Sequence, residues 1–165
     1  MLREQACQLL ITPRPPEGTD IVQKRLFEDG YRVYFDADCR AAPRSEADYL
    51  AAEHVTVLYE PRRSLDIDHW LEERGVARRI VATVPGMAGL GAMVRGGSWL
   101  ATAPSLLGRG ALRGLASAPV PRPTPAMPMY MVWHQRHQAD PEHCWWRREL
   151  ELVVAETLSG TAHLR

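Results

Sequence analysis

Lysine is almost absent from this chain: Lys24 is the only one among its 20 basic residues, and arginine supplies the rest. That imbalance reads as coding bias, because 20 acidic residues cancel the charge and leave a formal net charge of zero. A strongly basic nucleic-acid surface is therefore not indicated for the chain as a whole. Cysteine is scarce too. Cys7, Cys39 and Cys144 are an odd number without paired spacing, which excludes a disulfide framework and points to a reduced, cytoplasmic setting. No apolar run approaches the length of a membrane span, and the N-terminus has no signal-peptide core. Catalytic signatures are also missing. Ser64, Ser98, Ser105 and Ser117 lack the Gly-x-Ser-x-Gly setting of a nucleophile elbow, and GMAGLG at 86–91 lacks dinucleotide spacing. A length of 165 residues fits one domain, at most two small lobes, with a substantial core.

What is present is organised around residues 78–107, RRIVATVPGMAGLGAMVRGGSWLATAPSLL. Ile80 to Val84 is short and apolar, the pattern of a strand buried on both faces, and Pro85–Gly86 stops it. Met87, Leu90, Met93 and Val94 recur at helical spacing up to Gly96–Gly97. Trp99 to Thr102 is the next strand, with another helix expected after it. The segment repeats itself: VATVP at 81–85 is echoed by LATAP at 100–104. Each is a strand ending in Thr, a small residue and Pro, and proline suits the first turn of a helix. With the two strands parallel and close, Thr83, Thr102 and two helix starts line one sheet edge. In open α/β sheets that edge binds small ligands.

Taken in order, CQLLIT at 7–12 reads as a buried strand closed by Pro13, Pro15 and Pro16. Tyr31, Val33 and Phe35 alternate with Arg32 and Tyr34 in a strand with one face more buried than the other. Ser45 heads a short helix through Ala52, and Val55 to Tyr59 is a β-branched and aromatic strand. Ser64 is placed as N-cap of a helix in which Asp66 and Asp68 serve the dipole and Ile67, Trp70 and Leu71 share a face. Leu112 to Val120 is read as a further strand, followed by prolines at 119, 121, 123 and 125 in an extended crossing. Met129 to Trp133 is a strand. Asp140-Pro141-Glu142 opens a last helix whose apolar face is Trp146, Leu150, Val153, Val154 and Leu158.

Extended travel at 36–43 and 119–128 suggests two α/β lobes joined by paired crossings, an arrangement that holds ligands in a cleft. Two chemical clusters compete with that reading. His134, His137, Asp140, His143 and Cys144 are metal-ligand types, which keeps open a small α/β metal-binding or enzymatic protein using this region. Against it, His143 and Cys144 are adjacent on a helix and point about 100° apart. The arginine pairs Arg62/Arg63 and Arg78/Arg79 are suited to a carboxylate or phosphate but are usually surface charge.

Several motifs carry a family resemblance. They are LFED with YRV at 26–33, YLAAEHV at 49–55, RR…TVP at 78–85 and LATAP at 100–104. The last is WH-x-R-x-x-x-DP-x-H-x-W-x-R at 133–147. In order and spacing these span nearly the whole chain. It resembles the effector-binding half of a LysR-type transcriptional regulator, in the branch of nodulation and aromatic-catabolism regulators.

The resemblance implies an α/β, periplasmic-binding-protein-like (type 2) sensor domain. Its second lobe, 36–120, is complete, and its first lobe, 1–35 with 121–165, is partial. The opening β-α units of that lobe, the linker helix and the winged helix-turn-helix that binds DNA are expected to lie outside this chain. The function implied is sensing of a small organic effector, an aromatic acid or a related compound, together with dimerisation, without catalysis, metal or cofactor. Ligand contacts expected from the second lobe are Arg63, Ser64, Thr83, Gly86, Met87 and Thr102. Relatives often carry histidine and an aromatic residue where this chain has Gly86 and Met87, so its wall is smaller and softer and suits a bulkier or more apolar ligand.

Overall fold

The structure, a computed structural model, describes residue 2, residues 6–59 and residues 63–159. Two compact units are formed, Met1–Glu28 with Met127–Arg165 and Asp29–Ala126.

In the first unit, β9 (Met127–His134) lies between β1 (Leu9–Thr12) and β2 (Ile21–Asp29). The β1–β9 pair is antiparallel, with Leu9 opposite Trp133 and Thr12 opposite Tyr130. Helix α4 (Pro141–Ser159) follows, and the Asp140 carboxylate accepts from the His143 amide at its start (3.1 Å). The face that α4 turns inward differs from the expected one. Its buried residues are His143 and Arg147, continued by half-buried Leu150, Val154 and Leu158. Trp146 and Val153 are left 52% and 55% exposed. The inward row is thus i, i+4, i+7, i+11, i+15, and two polar residues begin it. A polarity pattern reads them as surface.

The second unit is a six-stranded sheet. Its path runs β5 (Arg63–Ser64), β4 (Glu53–Tyr59), β7 (Leu100–Pro104), β3 (Tyr31–Phe35), β8 (Ala116–Pro119), with β6 (Arg79–Val84) also pairing β4. Strands β6 and β7 are both parallel to β4, one on each side of it. Because β3 pairs with β7 and β8, Tyr31–Phe35 belongs to this unit. The divisions therefore fall at 28/29 and 126/127, not at 35/36 and 120/121.

One face of the sheet carries Tyr34, Val55, Val57, Ala101 and Ala103 against Ile67 and Leu71 of α2 (Asp66–Glu72) and Leu90 and Val94 of α3 (Met87–Val94). The other carries Val33, Phe35 and Leu100 against Tyr49 of α1 (Glu46–Ala51). Strand β3 is accordingly buried on both faces through Val33, Tyr34 and Phe35. As expected, Ser45 caps α1, accepting from Asp48 N at 3.1 Å.

Four local expectations are corrected. Strand β6 is not buried on both faces: paired among the described residues only with β4, it leaves Ile80 and Val81 39% and 40% exposed. A register shift opposite His54/Val55 puts Val81 in a bulge. Ser64 does not cap α2; it pairs with Leu58 in β5, and Leu65 holds the cap position without a side-chain bond. After β7 the chain makes a 3-10 turn, Ser105–Arg109, and not an α-helix. The Tyr34 hydroxyl fixes that turn, donating to Ser105 O (2.8 Å) and accepting from Gly108 N (3.1 Å). Burial pushes this phenol up to about 12. The strand expected from Leu112 is confined to Ala116–Pro119, because Leu112 turns into the core.

Helix α3 packs closely on this turn region. A methyl on Gly91 would lie 2.8 Å from Ala111 O, whereas on Gly89 it would meet Val84 at an ordinary 3.4 Å. Alanine for glycine in a helix normally gains about 1 kcal/mol. Urea unfolding should show Gly89→Ala neutral or stabilising and Gly91→Ala destabilised by about 1–3 kcal/mol, the cost of overpacking.

Candidate functional site

The register of the second unit assembles three threonines. Thr83 is directly opposite Thr56, and the β4–β7 pairing of Val55 with Ala101 sets Thr102 beside Thr56. A row Thr83–Thr56–Thr102 thus crosses β6, β4 and β7 on one face. The echo of VATVP and LATAP places its two threonines in the same row, with a third between them.

The row is unevenly exposed. Thr102 is only 1% exposed, and its Oγ1 is 2.7 Å from the Tyr49 hydroxyl. Thr56 is buried and donates to Asp68 Oδ2 at 2.6 Å. Thr83 is exposed at the edge. Thr102 is thus a core residue with an engaged hydroxyl.

The buried end of the row joins an ion pair. Arg78 Nη2 donates to Asp68 Oδ1, and both side chains are almost wholly buried. Arg78 Nη1 also donates to the Tyr49 hydroxyl (3.3 Å). Tyr49 and Thr102 share a hydrogen bond in which either hydroxyl can donate, so Arg78, Tyr49 and Thr102 form one bonded chain. Burial alone would lower the guanidinium, but Tyr49 and the Asp68 carboxylate hold it above its ordinary value. These residues tie α1, α2, β4, β7 and the start of β6 together.

His54 closes the cluster. Its ring is fully buried, edge-on to Tyr49 with centroids 4.7 Å apart, and Nε2 is 2.7 Å from Tyr49 O. That acceptor assigns the Nε2–H tautomer and leaves Nδ1 without a partner. Protonation would bury a second cation beside Arg78 and near Arg40. Burial first, then these two charges, hold the imidazole down at about 4.

The remaining expected contacts lie at strand and helix ends. Gly86 is the N-cap of α3, with no side-chain cap and no atom within 4 Å of where a Cβ would stand. Met87, half-buried, opens the helix. Thr83 lies three residues before the Gly86 N-cap. Ser64 is half-buried in β5 on the other part of the β4 edge. The Arg63 backbone pairs with Tyr59, and its side chain lies outside the described residues, as does Arg62.

From sequence, Arg78 stands out only as one of a pair suited to a carboxylate and Asp68 only as a dipole partner, and nothing marks Tyr49 and His54 as members of a buried cluster. Asp68 was open to detection, since Ile67, Asp68 and Leu71 are i, i+1, i+4 and share the buried side of α2.

The His134–Cys144 cluster is tied into the first unit by ordinary bonds. His134 Nε2 is 3.2 Å from Asp20 Oδ2, and His143 Nε2 is 3.1 Å from Gln8 O. Arg147 donates to His143 Nδ1 (2.7 Å), Cys144 Sγ (2.9 Å) and His137 O (3.0 Å), and lies 4.5 Å over the Trp133 ring. No group of three His, Cys, Asp or Glu among the described residues has metal-holding geometry.

Comparison with known proteins gives these elements a family. The model of the LysR substrate binding domain matches residues 1–153. The chain belongs to this family. It is 29% identical over 150 residues to the HTH-type transcriptional activator NagR of Ralstonia sp, across 87% of this chain and 49% of that protein. It is 30% identical over 148 residues to nodulation protein D 2 of Rhizobium tropici, across 85% of this chain and 46% of that protein. The LysR domain described here therefore spans about half the length of these relatives. Among solved structures, the regulatory domain of MexT, a transcriptional activator in Pseudomonas aeruginosa, superposes with a TM-score of 0.76. Identity there is 25%, and the match covers 92% of this chain and 76% of that one. The fold is thus the α/β fold of LysR regulatory domains, which are periplasmic-binding-protein-like. The motif joining β9 to α4 is in this light a structural junction centred on Arg147.

The neutral, buried His54 of this LysR domain makes its stability depend on pH. The imidazole value falls from 6.5 unfolded to about 4 folded, so the unfolded chain binds more protons between those limits. The contribution is present above pH 6.5 and is lost as pH falls toward 4. Urea unfolding at pH 6.5 and 4.5 should show a loss of about 2–3 kcal/mol in the native chain. His54→Phe should remove most of that slope.

Proposed function

We propose that this LysR substrate-binding domain is the effector-sensing part of a transcriptional regulator and takes a small organic acid, an aromatic acid or a close relative. The observation that carries the reading is the β6–α3 junction. There an exposed Thr83, an uncapped helix start at Gly86 with open space around it, and a half-buried Met87 stand together. Amide N–H groups of a helix start favour a carboxylate, and a thioether beside them suits an apolar ring. Ser64 and Arg63 at the β5 end are the further contacts in this reading. Thr102 supports the wall from within. The relatives' names, a transcriptional activator and a nodulation protein, fit the same role.

The regulator's other properties follow as inferences from the family. DNA binding belongs to a winged helix-turn-helix, a motif not formed among the described residues. The domain self-associates, supported by the exposed edge of β6 at Ile80 and Val81 and by exposed Trp145, Trp146, Leu152 and Val153 on α4. The place of work is the cytoplasm, in keeping with three free cysteines. No helix among the described residues is long and apolar enough to cross a membrane.

Benzoate and cyclohexylmethanol, titrated against the native chain and Gly86→Val by calorimetry, test the proposal. Benzoate should bind the native chain and bind Gly86→Val at least about tenfold more weakly, as expected when a binding space is filled. The alcohol, lacking the carboxylate, should bind neither. Equal benzoate affinity in both proteins would remove the junction from the site.

A further inference from the structure

The chain first passes between its two units at Glu28–Asp29, and Asp29 there has both carboxylate oxygens hydrogen-bonded. Its carboxylate accepts from Gly30 N (2.8 Å) and the Ser105 hydroxyl through Oδ1, and from Leu106 N (3.2 Å) through Oδ2. Ser105 N in turn donates to Gly30 O at 2.8 Å. Four hydrogen bonds thus converge on two consecutive residues, three of them from the turn that follows β7, some 75 positions on. The same turn is clamped on its far side by the buried Tyr34 hydroxyl, bonded to Ser105 O and Gly108 N. A charged acceptor strengthens each bond it takes. The turn is consequently gripped at both ends, and one grip is the first residue after the junction.

We propose that Asp29 is a latch: it ties the turn after β7 to the junction between the units, so that loosening or tightening one changes the freedom of the other. The regulatory use of the latch rests on the effector-sensing reading, in which the ligand sits at the strand ends of this sheet. A ligand that orders the turn then orders the junction through one carboxylate. No movement of the ligand-binding wall itself is required, because coupling of local opening is enough.

Amide hydrogen exchange of the whole chain tests the latch without any ligand. Ser105→Ala removes one donor far along the sequence from the junction. It should raise exchange several-fold at Gly30 and at residues 26–28 as well as at Leu106, while Val55 and Val57 in the core stay protected. An increase confined to residues 104–108 would overturn the latch and leave Asp29 as a local turn cap. Asp29→Asn, which keeps an acceptor but loses the charge, should give an intermediate increase at the same places; an increase at Gly30 alone would count against the proposal. A second arm adds benzoate. Protection at both Leu106 and 26–28 in the native chain, reduced to Leu106 alone in Asp29→Ala, supports the coupling. Protection of Leu106 without 26–28 in the native chain overturns it. Absence of any benzoate effect, with the Ser105→Ala response intact, supports the latch and counts against the aromatic-acid reading.

Discussion

The second unit depends on one buried ion pair. Asp68 and Arg78 lie almost entirely out of solvent, and each is needed to make the other tolerable. A lone buried charge costs several kcal/mol, so the pair forms only when α2 and the start of β6 come together in one geometry. Its remaining valences then set the positions of neighbours: Thr56 on the second carboxylate oxygen, and Tyr49, through it Thr102, on the guanidinium. The apolar layers on either face supply most of the stabilisation, but they are tolerant of small shifts. Directional bonds between five elements are not, and they fix which hydroxyls stay inside.

That division decides what reaches the surface. Thr102 and Thr56 are consumed by the network, while Thr83 in the same row stays accessible because β6 is an edge strand. The part of the sheet proposed to face the ligand is therefore the β6–α3 junction, resting on a hydrogen-bonded interior. Such an arrangement suits a sensor, in which a soft, small-residue wall meets the ligand and a fixed frame carries the consequence. The Asp29 bonds extend the same logic from the turn after β7 to the junction of the units.

Much of this was readable in the amino-acid sequence. The β6–α3–β7 succession, the capped α1, the Pro-rich crossing and the WH…DP…H…W…R junction announce themselves through periodicity, caps and motif spacing. The parts that were not legible share a physical cause. A five-residue apolar run is compatible with a central or an edge strand, and only pairing partners tell them apart; β6 is the case. An ionisable residue within an amphipathic pattern is read as solvated, yet Asp68, Arg78, His143 and Arg147 are each buried against partners on other segments of the chain. The apolar spacing places Trp146 and Val153 in the core for the converse reason. The exact face a helix buries follows from what lies beneath it, and α4 lies on its His143–Arg147 row.

The most direct measurement is a double-mutant cycle on the buried pair, by urea unfolding of the native chain, Asp68→Asn, Arg78→Met and the double variant. Arg78→Met strands the Asp68 carboxylate in the core and should cost about 3–5 kcal/mol. The double variant should cost less than the two single changes added together, with a coupling of at least about 2 kcal/mol. Single costs that are small, or that add to within about 0.5 kcal/mol, would contradict the view that this pair organises the domain.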